Sequence, residues 1–497
     1  MVSLEGDYEL AMPGRSPLPI RFPGALQARD GRIRVVLRVP LEDYVVLALE
    51  GEAAGFKSDA ALQAMAVAVR TYAAGQRGRH AAQGFDLCDT THCQLLRFDD
   101  APPARLRAAA QSTEGELLWY RGEPAAAYYS RNCGGTTEDA AHLWPGLDAP
   151  YLRSHADPYC LVHGRSEWSA EIDSADLTAA LRSAGVIGPR DAVTALRVLQ
   201  RTPSGRVARI EIRGAASRVV TGEQFRTALG STLGSGGLRS NAFDVHEAGG
   251  RFVFHGYGEG HGAGLCQAGA DEMGVEGKTY REILAFYYSG TAVGLTAQEL
   301  AWVHQAGERV DLFSTRPDAD RALAARADRL LTAAESLAGW LLDSRPQLRV
   351  YPTVAVFRNA TGEPGWVAAS TRGRVVRLEP PAVLAAAGAL DPTLRHEFLH
   401  LLVEQRARSG LPLWFREGLV LYLSGESRPA SLPTAPAGQI DFAVLDRTLT
   451  APASAEAQRR AYRQAQQAVA RLVAQHGRAL VLSWLERGLP QDAAAHR

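Results

Sequence analysis

Lysine is almost missing: Lys57 and Lys278 are the only two in 497 residues, and arginine supplies every other long cationic side chain. The bias reflects coding composition and not a binding surface, because 54 acidic residues balance 54 basic ones and the formal net charge is zero. No global basic field exists to draw nucleic acid or an anionic membrane. Also lacking is any run near the roughly 18 apolar residues of a spanning helix. The opening MVSLEGD has neither the basic segment nor the apolar segment of a signal peptide, so the chain reads as soluble and without an export signal at its start. Cysteine is sparse and one-sided: Cys88, Cys93, Cys133, Cys160 and Cys266 are all of it, and none follows. That asymmetry predicts two modules with different chemistry. No internal repeat at a fixed period is present. What remains is globular: 46% hydrophobic and 22% charged residues exclude a disordered, collagen-like or coiled-coil chain. The length exceeds one ordinary core of about 100–200 residues.

Local pattern places the elements. Residues 32–40 read as a strand ended by Pro40. Leu41, Tyr44, Val45, Ala48 and Leu49 recur at helical spacing, with Gly51 ending or weakening that helix. Ser58 and Asp59 open a second, alanine-rich helix. Residues 195–213 form a hairpin about Ser204 and Gly205, and the helix bearing Tyr287 and Tyr288 stops at Gly290. The domain joint is predicted at 295–305. Beyond it we expect a long amphipathic helix over 317–343 and strands over 348–357, 365–370 and 374–378. Another helix would start with Asp391 as N-cap and Pro392 as its first residue. A helix over 414–424, a surface loop over 429–437 and a final helical pair over 453–487 complete the chain.

Residues 396–400, HEFLH, carry the chemistry of the second half. Two histidines four apart share a helical face and reach one ion. Glu397 beside the first can polarise a water and carry its proton. Such a site needs a third protein ligand, and Glu417 on the next helix, after the turn at Gly410 and Pro412, is the candidate. A chance match on a helix is the bland alternative, disfavoured by the flanking helical context. Glu404 reads as a solvated charge. HEFLH, LPLWFREGLVLYL (411–423) and AYRQAQQAVARLVAQHG (461–477) resemble the gluzincin-like peptidases called peptidase MA-like, over about 305–490. The resemblance implies a metallopeptidase fold, with His396, His400 and Glu417 as Zn2+ ligands and Glu397 as general base. Tyr422 and Tyr462 are oxyanion-donor candidates, or simply core and rim tyrosines.

In the first half, Glu52 continues the apolar stripe of positions 41, 45, 48 and 49. An acid so placed has a raised pKa and can protonate a leaving oxygen, which glycosidic cleavage requires. A solvated Glu at a frayed helix end is the alternative. The motifs around it resemble, in order along the chain, the stage II sporulation protein D / amidase-enhancer (SpoIID/LytB) family over about 30–295. They are VPLEDY (39–44), AMAVAVRTY (64–72), CDTTHCQ (88–94), CGGT (133–136), YL (151–152) before DPYC (157–160), and HGAGLCQAGA (261–270). The resemblance implies peptidoglycan as substrate and a lytic transglycosylase with Glu52 as catalytic acid/base, the sugar's own 6-hydroxyl replacing water. Three positions depart from the family's pattern: Ala53 and Ala54 follow Glu52 where Met-Pro is frequent, and Cys266 stands where Ser is usual.

Glycines 256, 258, 260, 262 and 264 match no phosphate loop. They suit a glycan groove, with Arg70, Tyr72, His261 and Gln267 as binding residues, or a tight structural turn. Cys88, His92 and Cys93 are close enough to share a second, structural Zn2+. Disulfides suit an exported chain equally well, Cys88–Cys93 with Cys133–Cys160 being one of three pairings of those four. Cys266 is then the odd, buried thiol.

The reading is α+β in two domains: 1–298, SpoIID/LytB-like, and 299–497, gluzincin-like. The expected partners are peptidoglycan glycan strands, an N-acetylmuramoyl-L-alanine amidase, and a peptide or protein substrate for the second domain, with no nucleic acid and no transmembrane segment. The expected location is the cell envelope. Two rival readings are a non-catalytic amidase enhancer and a metallopeptidase brought to the wall by the first domain.

Overall fold

The computed structural model describes residues 2–4, 6, 8–11, 17–29, 31–98, 102–147, 149–162, 164–234, 237–296, 300–425, 440–450 and 452–490. Helix and strand are mixed throughout, and the chain divides into two compact units, Met1–Leu300 and Ala301–Arg497. The expected joint at 298/299 and the loop at 429–437 lie outside the described residues.

In the first unit, helix α1 (Leu41–Ala53) packs on α2 (Asp59–Gly75) and α3 (Ala104–Ser112). Ser58 caps α2 by accepting a hydrogen bond from the Ala61 N–H. Nearly every residue from Ala61 to Ala73 is buried, which the small alanines permit by letting neighbours approach all round. Strand Arg32–Leu37 pairs antiparallel with Gly24–Arg29, and Pro40 then caps α1. A short parallel pair, Tyr129–Ser130 with Leu265–Cys266, joins distant parts of the chain and leads into helix Gln267–Val275. Between those two strands a separate body is inserted. It has two three-stranded antiparallel sheets, two helices and its own core of Trp168, Phe225, Phe243 and Phe254. The expected hairpin is strands Ala195–Arg201 and Val207–Arg213 of this body.

The second unit is built on a five-stranded sheet. Asp311–Ser314, Gln347–Val350 and Val375–Leu378 run parallel in its middle, and Val303–Ala306 and Ala369–Arg372 lie antiparallel at its edges. Helices Pro317–Ala338, Leu390–Arg406, Leu413–Ser424 and Ala455–His476 bury a leucine-rich core.

Five local expectations need correction. The helix expected over 317–343 ends at Ala338, where Gly339 turns left-handed at φ 87°. Gly51 does not end α1: the helix continues to Ala53, and the glycine is needed because a Cβ there would lie 2.0 Å from the Leu95 carbonyl oxygen. The strand expected over 348–357 stops at Val350; Pro352 breaks the ladder and Thr353 caps a helix, Val354–Thr361. The strand expected over 365–370 is Ala369–Arg372. Asp391 is not an N-cap: the helix begins at Leu390, and Asp391 in its first turn takes a hydrogen bond from Arg326 Nε at 2.5 Å. An ion pair competes with capping for the same carboxylate.

Candidate catalytic and metal sites

Glu52 sits in the last turn of α1, one step beyond the buried residues Tyr44, Val45, Ala48 and Leu49. The segment carrying Leu95 crosses the helix at Gly51, so the Leu95 N–H reaches Glu52 Oε1 at 2.8 Å. The Gln267 amide and the Tyr129 hydroxyl hydrogen-bond to the same carboxyl. Tyr129 is held in turn by Gln94 Nε2 at 3.0 Å, and Gln94 Oε1 accepts from the Tyr44 hydroxyl at 2.8 Å. Burial raises the Glu52 pKa against these hydrogen bonds and the nearby Arg131. The parallel strand pair explains the convergence: Leu265 lies opposite Tyr129, and Gln267 follows two residues later.

A partly exposed aromatic set extends the site. Tyr128 stacks on Trp144 with centroids 4.3 Å apart, and the His261 ring meets Trp144 edge-on at 5.1 Å. His261 Nδ1 accepts from the Ala263 N–H at 3.1 Å, and burial lowers its pKa to about 4, so the ring is neutral. Sequence reasoning missed Tyr128, Tyr129, Trp144 and Gln94 as a group, although Gln94 closes the CDTTHCQ motif.

The binding role expected for Arg70 is corrected. Its side chain is fully buried. It forks onto Glu42 at 2.8 and 2.7 Å and donates to the carbonyls of Ala110 and Glu116 at 3.1 and 3.2 Å. It ties α1, α2 and α3 together and does not face a ligand. Tyr72 is also buried; its hydroxyl accepts from Arg79 at 3.3 Å and its ring meets Tyr128 edge-on.

None of the five cysteines is paired in a disulfide. Cys88, His92 and Cys93 converge, and the structure adds His80, whose Nε2 lies 3.3 Å from Cys93 Sγ. Cys88 Sγ is 3.6 Å from His92 Nδ1, and one donor atom from each of the four residues lies within 4.8 Å of the others. Two sulfurs and two imidazoles so gathered fit a structural tetrahedral zinc. His80 escaped the sequence reading because it stands eight residues before Cys88, outside the motif. Cys133 and Cys160 belong to a different cluster, with Cys266 and Asp157.

In the second unit, helix Leu390–Arg406 aims His396 and His400 at each other, Nε2 to Nε2, at 3.1 Å. Helix Leu413–Ser424 returns Glu417 to them, with Oε2 3.4 Å from His400 Nε2. Burial opposes charge on His400, but the Glu417 carboxylate overrides it and lifts that ring to about 9. Burial, then the neighbouring His400, lowers His396 to about 3. Two nitrogens and a carboxylate oxygen within 4.8 Å fit a divalent cation such as zinc, with a fourth position left for water.

Glu397 is buried on the same helix, and the Thr371 hydroxyl on the edge strand donates to its Oε2 at 2.7 Å. Burial raises its pKa. The Tyr462 ring centroid is 6.4 Å from His396, and its hydroxyl accepts from Gln458 Nε2 at 3.0 Å. Tyr422 and Tyr462 are both partly buried and pack against the core. Glu404 is an exposed surface charge, as expected, and accepts from Arg416 at 2.7 Å.

Comparison with known proteins addresses the first unit. A family model described as Stage II sporulation protein matches residues 29–120, and one described as a domain of unknown function (DUF8618) matches 163–264, the inserted body. An uncharacterized protein of Brachyspira hyodysenteriae is 31% identical over 260 residues, covering 52% of this chain and 68% of that protein. Stage II sporulation protein D of Bacillus subtilis is 26% identical over 277 residues, covering 52% of this chain and 75% of its own. The amidase enhancer of Bacillus subtilis is 26% identical, covering 47% of this chain and 38% of its own.

Proposed function

The chain belongs to the stage II sporulation protein D family, and from that premise we propose that its first unit binds peptidoglycan at the cell envelope and cuts the glycan strand as a lytic transglycosylase. The observation that carries this reading is Glu52: a carboxyl at the end of an apolar helical stripe, its pKa raised by burial, held by Leu95, Tyr129 and Gln267. In the protonated form Glu52 gives its proton to the glycosidic oxygen as the bond to the muramic anomeric carbon breaks. The carboxylate left behind then takes the proton of the same sugar's 6-hydroxyl, whose oxygen closes on that carbon. The result is an anhydro end, with no water consumed. Tyr129 and Gln267 hold the carboxyl in place through the exchange, and Trp144 with Tyr128 offers an aromatic face to a sugar ring.

Purified protein should release anhydromuropeptides from sacculi, and Glu52→Gln should release none. Binding to sacculi without any anhydro product from the unaltered protein would overturn catalysis and leave the amidase-enhancer reading, in which the unit grips glycan for a separate amidase. That reading is favoured by Ala53 and Ala54 after the acid.

For the second unit we infer a metallopeptidase. His396, His400 and Glu417 would hold the zinc, which when bound supplies a Lewis acid and lowers the pKa of water. Glu397 receives and passes on the proton of the attacking water, and Thr371 keeps its carboxyl oriented. Metal analysis tests the site: His396→Ala with His400→Ala should lose one equivalent of zinc, and an unchanged metal content would overturn it. The quartet of His80, Cys88, His92 and Cys93 is proposed as a separate structural zinc site.

A further inference from the structure

Three cysteines from three separate stretches meet in the core of the first unit. Cys133 follows strand Tyr129–Ser130, Cys160 lies in the short helical turn Tyr159–Leu161, and Cys266 ends the strand paired with the first. Asp157 joins them. All four residues are buried, and one donor atom from each lies within 4.8 Å of the others. Cys133 Sγ is 3.2 Å from Asp157 Oδ2. We propose that Cys133, Asp157, Cys160 and Cys266 form a buried tetrahedral site for one thiophilic divalent cation of the zinc class, made of residues that belong to none of the three sites described above.

Four observations support a cation over a disulfide or an apolar cluster of thiols. A disulfide uses two sulfurs; it would strand the third thiol and give the carboxylate no role, whereas a tetrahedral ion uses all four groups. The carboxylate is oriented from behind, as an ion's ligand requires: the Tyr287 hydroxyl donates to Asp157 Oδ2 at 2.9 Å and the Cys160 N–H to Oδ1 at 3.1 Å. Backbone N–H groups point at the sulfurs. The Cys133 N–H reaches Cys266 Sγ at 3.2 Å, and those of Gly134 and Gly135 reach Cys160. Both glycines hold φ of 75° and 95°, a left-handed turn that brings consecutive N–H groups to one acceptor. Finally, three thiolates and a carboxylate around a divalent ion leave a net negative charge. The fully buried Arg206 lies against it, its Nη2 donating to the Cys133 carbonyl at 2.8 Å. A site this enclosed fills as the chain folds, so metal binding and folding of the first unit are coupled.

The test uses the full chain with the other two sites disabled: Cys88→Ser, Cys93→Ser, His396→Ala and His400→Ala together, purified with zinc. One equivalent of zinc should remain, and X-ray absorption at the zinc edge should read three sulfurs and one oxygen. Adding Cys266→Ser or Asp157→Asn should lower the zinc affinity at least tenfold while far-ultraviolet circular dichroism in excess zinc keeps its shape. Should both additions unfold the chain, the sulfur count on the parent protein still decides. No zinc with three titratable thiols overturns the proposal, because the cluster is then only core packing. No zinc and a mass lower by two hydrogens overturns it in favour of a disulfide.

Discussion

A single carboxyl shows how position sets chemistry. Glu52 is an ordinary glutamate by sequence, and its raised pKa comes from burial at the end of α1. In the folded chain it binds its proton more tightly than in the unfolded chain, so stability falls as pH rises from the ordinary glutamate value of about 4.3 through the raised folded one. Glu52→Gln removes that penalty while its amide oxygen can still accept from Leu95. Its melting temperature should exceed that of the unaltered protein at pH 7, and the gap should close below about pH 4. A gap of the same size at both pH values would mean that Glu52 is not titrating. Arg70 gives the opposite case, a charged residue whose use is internal. Arg70→Met leaves Glu42 without its cation and should cost about 3–5 kcal/mol of stability, read by denaturant unfolding. A change under 1 kcal/mol, the scale of a surface pair, would show that the fork onto Glu42 is dispensable.

At the scale of elements, helices were legible where an apolar stripe and a cap coincided. The Ser58 cap of α2 is the example; the helix carrying HEFLH was legible from its periodicity alone, since its N-cap position, Ala389, supplies no side-chain cap. Gly51 was not legible, because its reason lies 44 residues away in Leu95. Ala in place of Gly inside a helix usually stabilises by about 1 kcal/mol. Here the sign should invert: Gly51→Ala pushes the Leu95 segment off the helix and removes a hydrogen bond from Glu52. Both melting temperature and glycan cleavage should fall, measured by calorimetry and by anhydromuropeptide release. Asp391 failed as a cap for a related reason, since Arg326 from another helix claims its carboxylate. The strand expected over 348–357 failed because apolar residues alone do not distinguish a strand from a short buried helix.

Across the whole molecule, the two candidate catalytic centres belong to different compact units and use unlike chemistry. Each should therefore fail alone. Mass spectrometry of sacculus digests should show Glu52→Gln losing anhydro ends while any peptide cleavage persists, and Glu397→Gln doing the reverse. Loss of both products in either variant would mean that the centres work in sequence on one substrate. No helix among the described residues is long and apolar enough to cross a membrane. With zero net charge, the proposed binding of peptidoglycan would rest on local contacts and not on a global field.

Sequence alone determined the mixed helix-and-strand character of the chain and its kinship with the sporulation protein D family. Capping residues, apolar stripes and clustered motifs are local signals, and local signals survive in a linear text. It also singled out Glu52 and the pair His396 and His400, because a helix's 3.6-residue period converts spacing into a shared face. Only the tertiary structure decided what those groups touch. His80 joining Cys93, Tyr129 and Gln267 gripping Glu52, Arg70 turned inward, and Asp157 among three thiols all depend on segments distant in the chain. The physical reason is that donors, acceptors and charges act over a few ångströms of space, and no local pattern records which distant residues folding brings within that range.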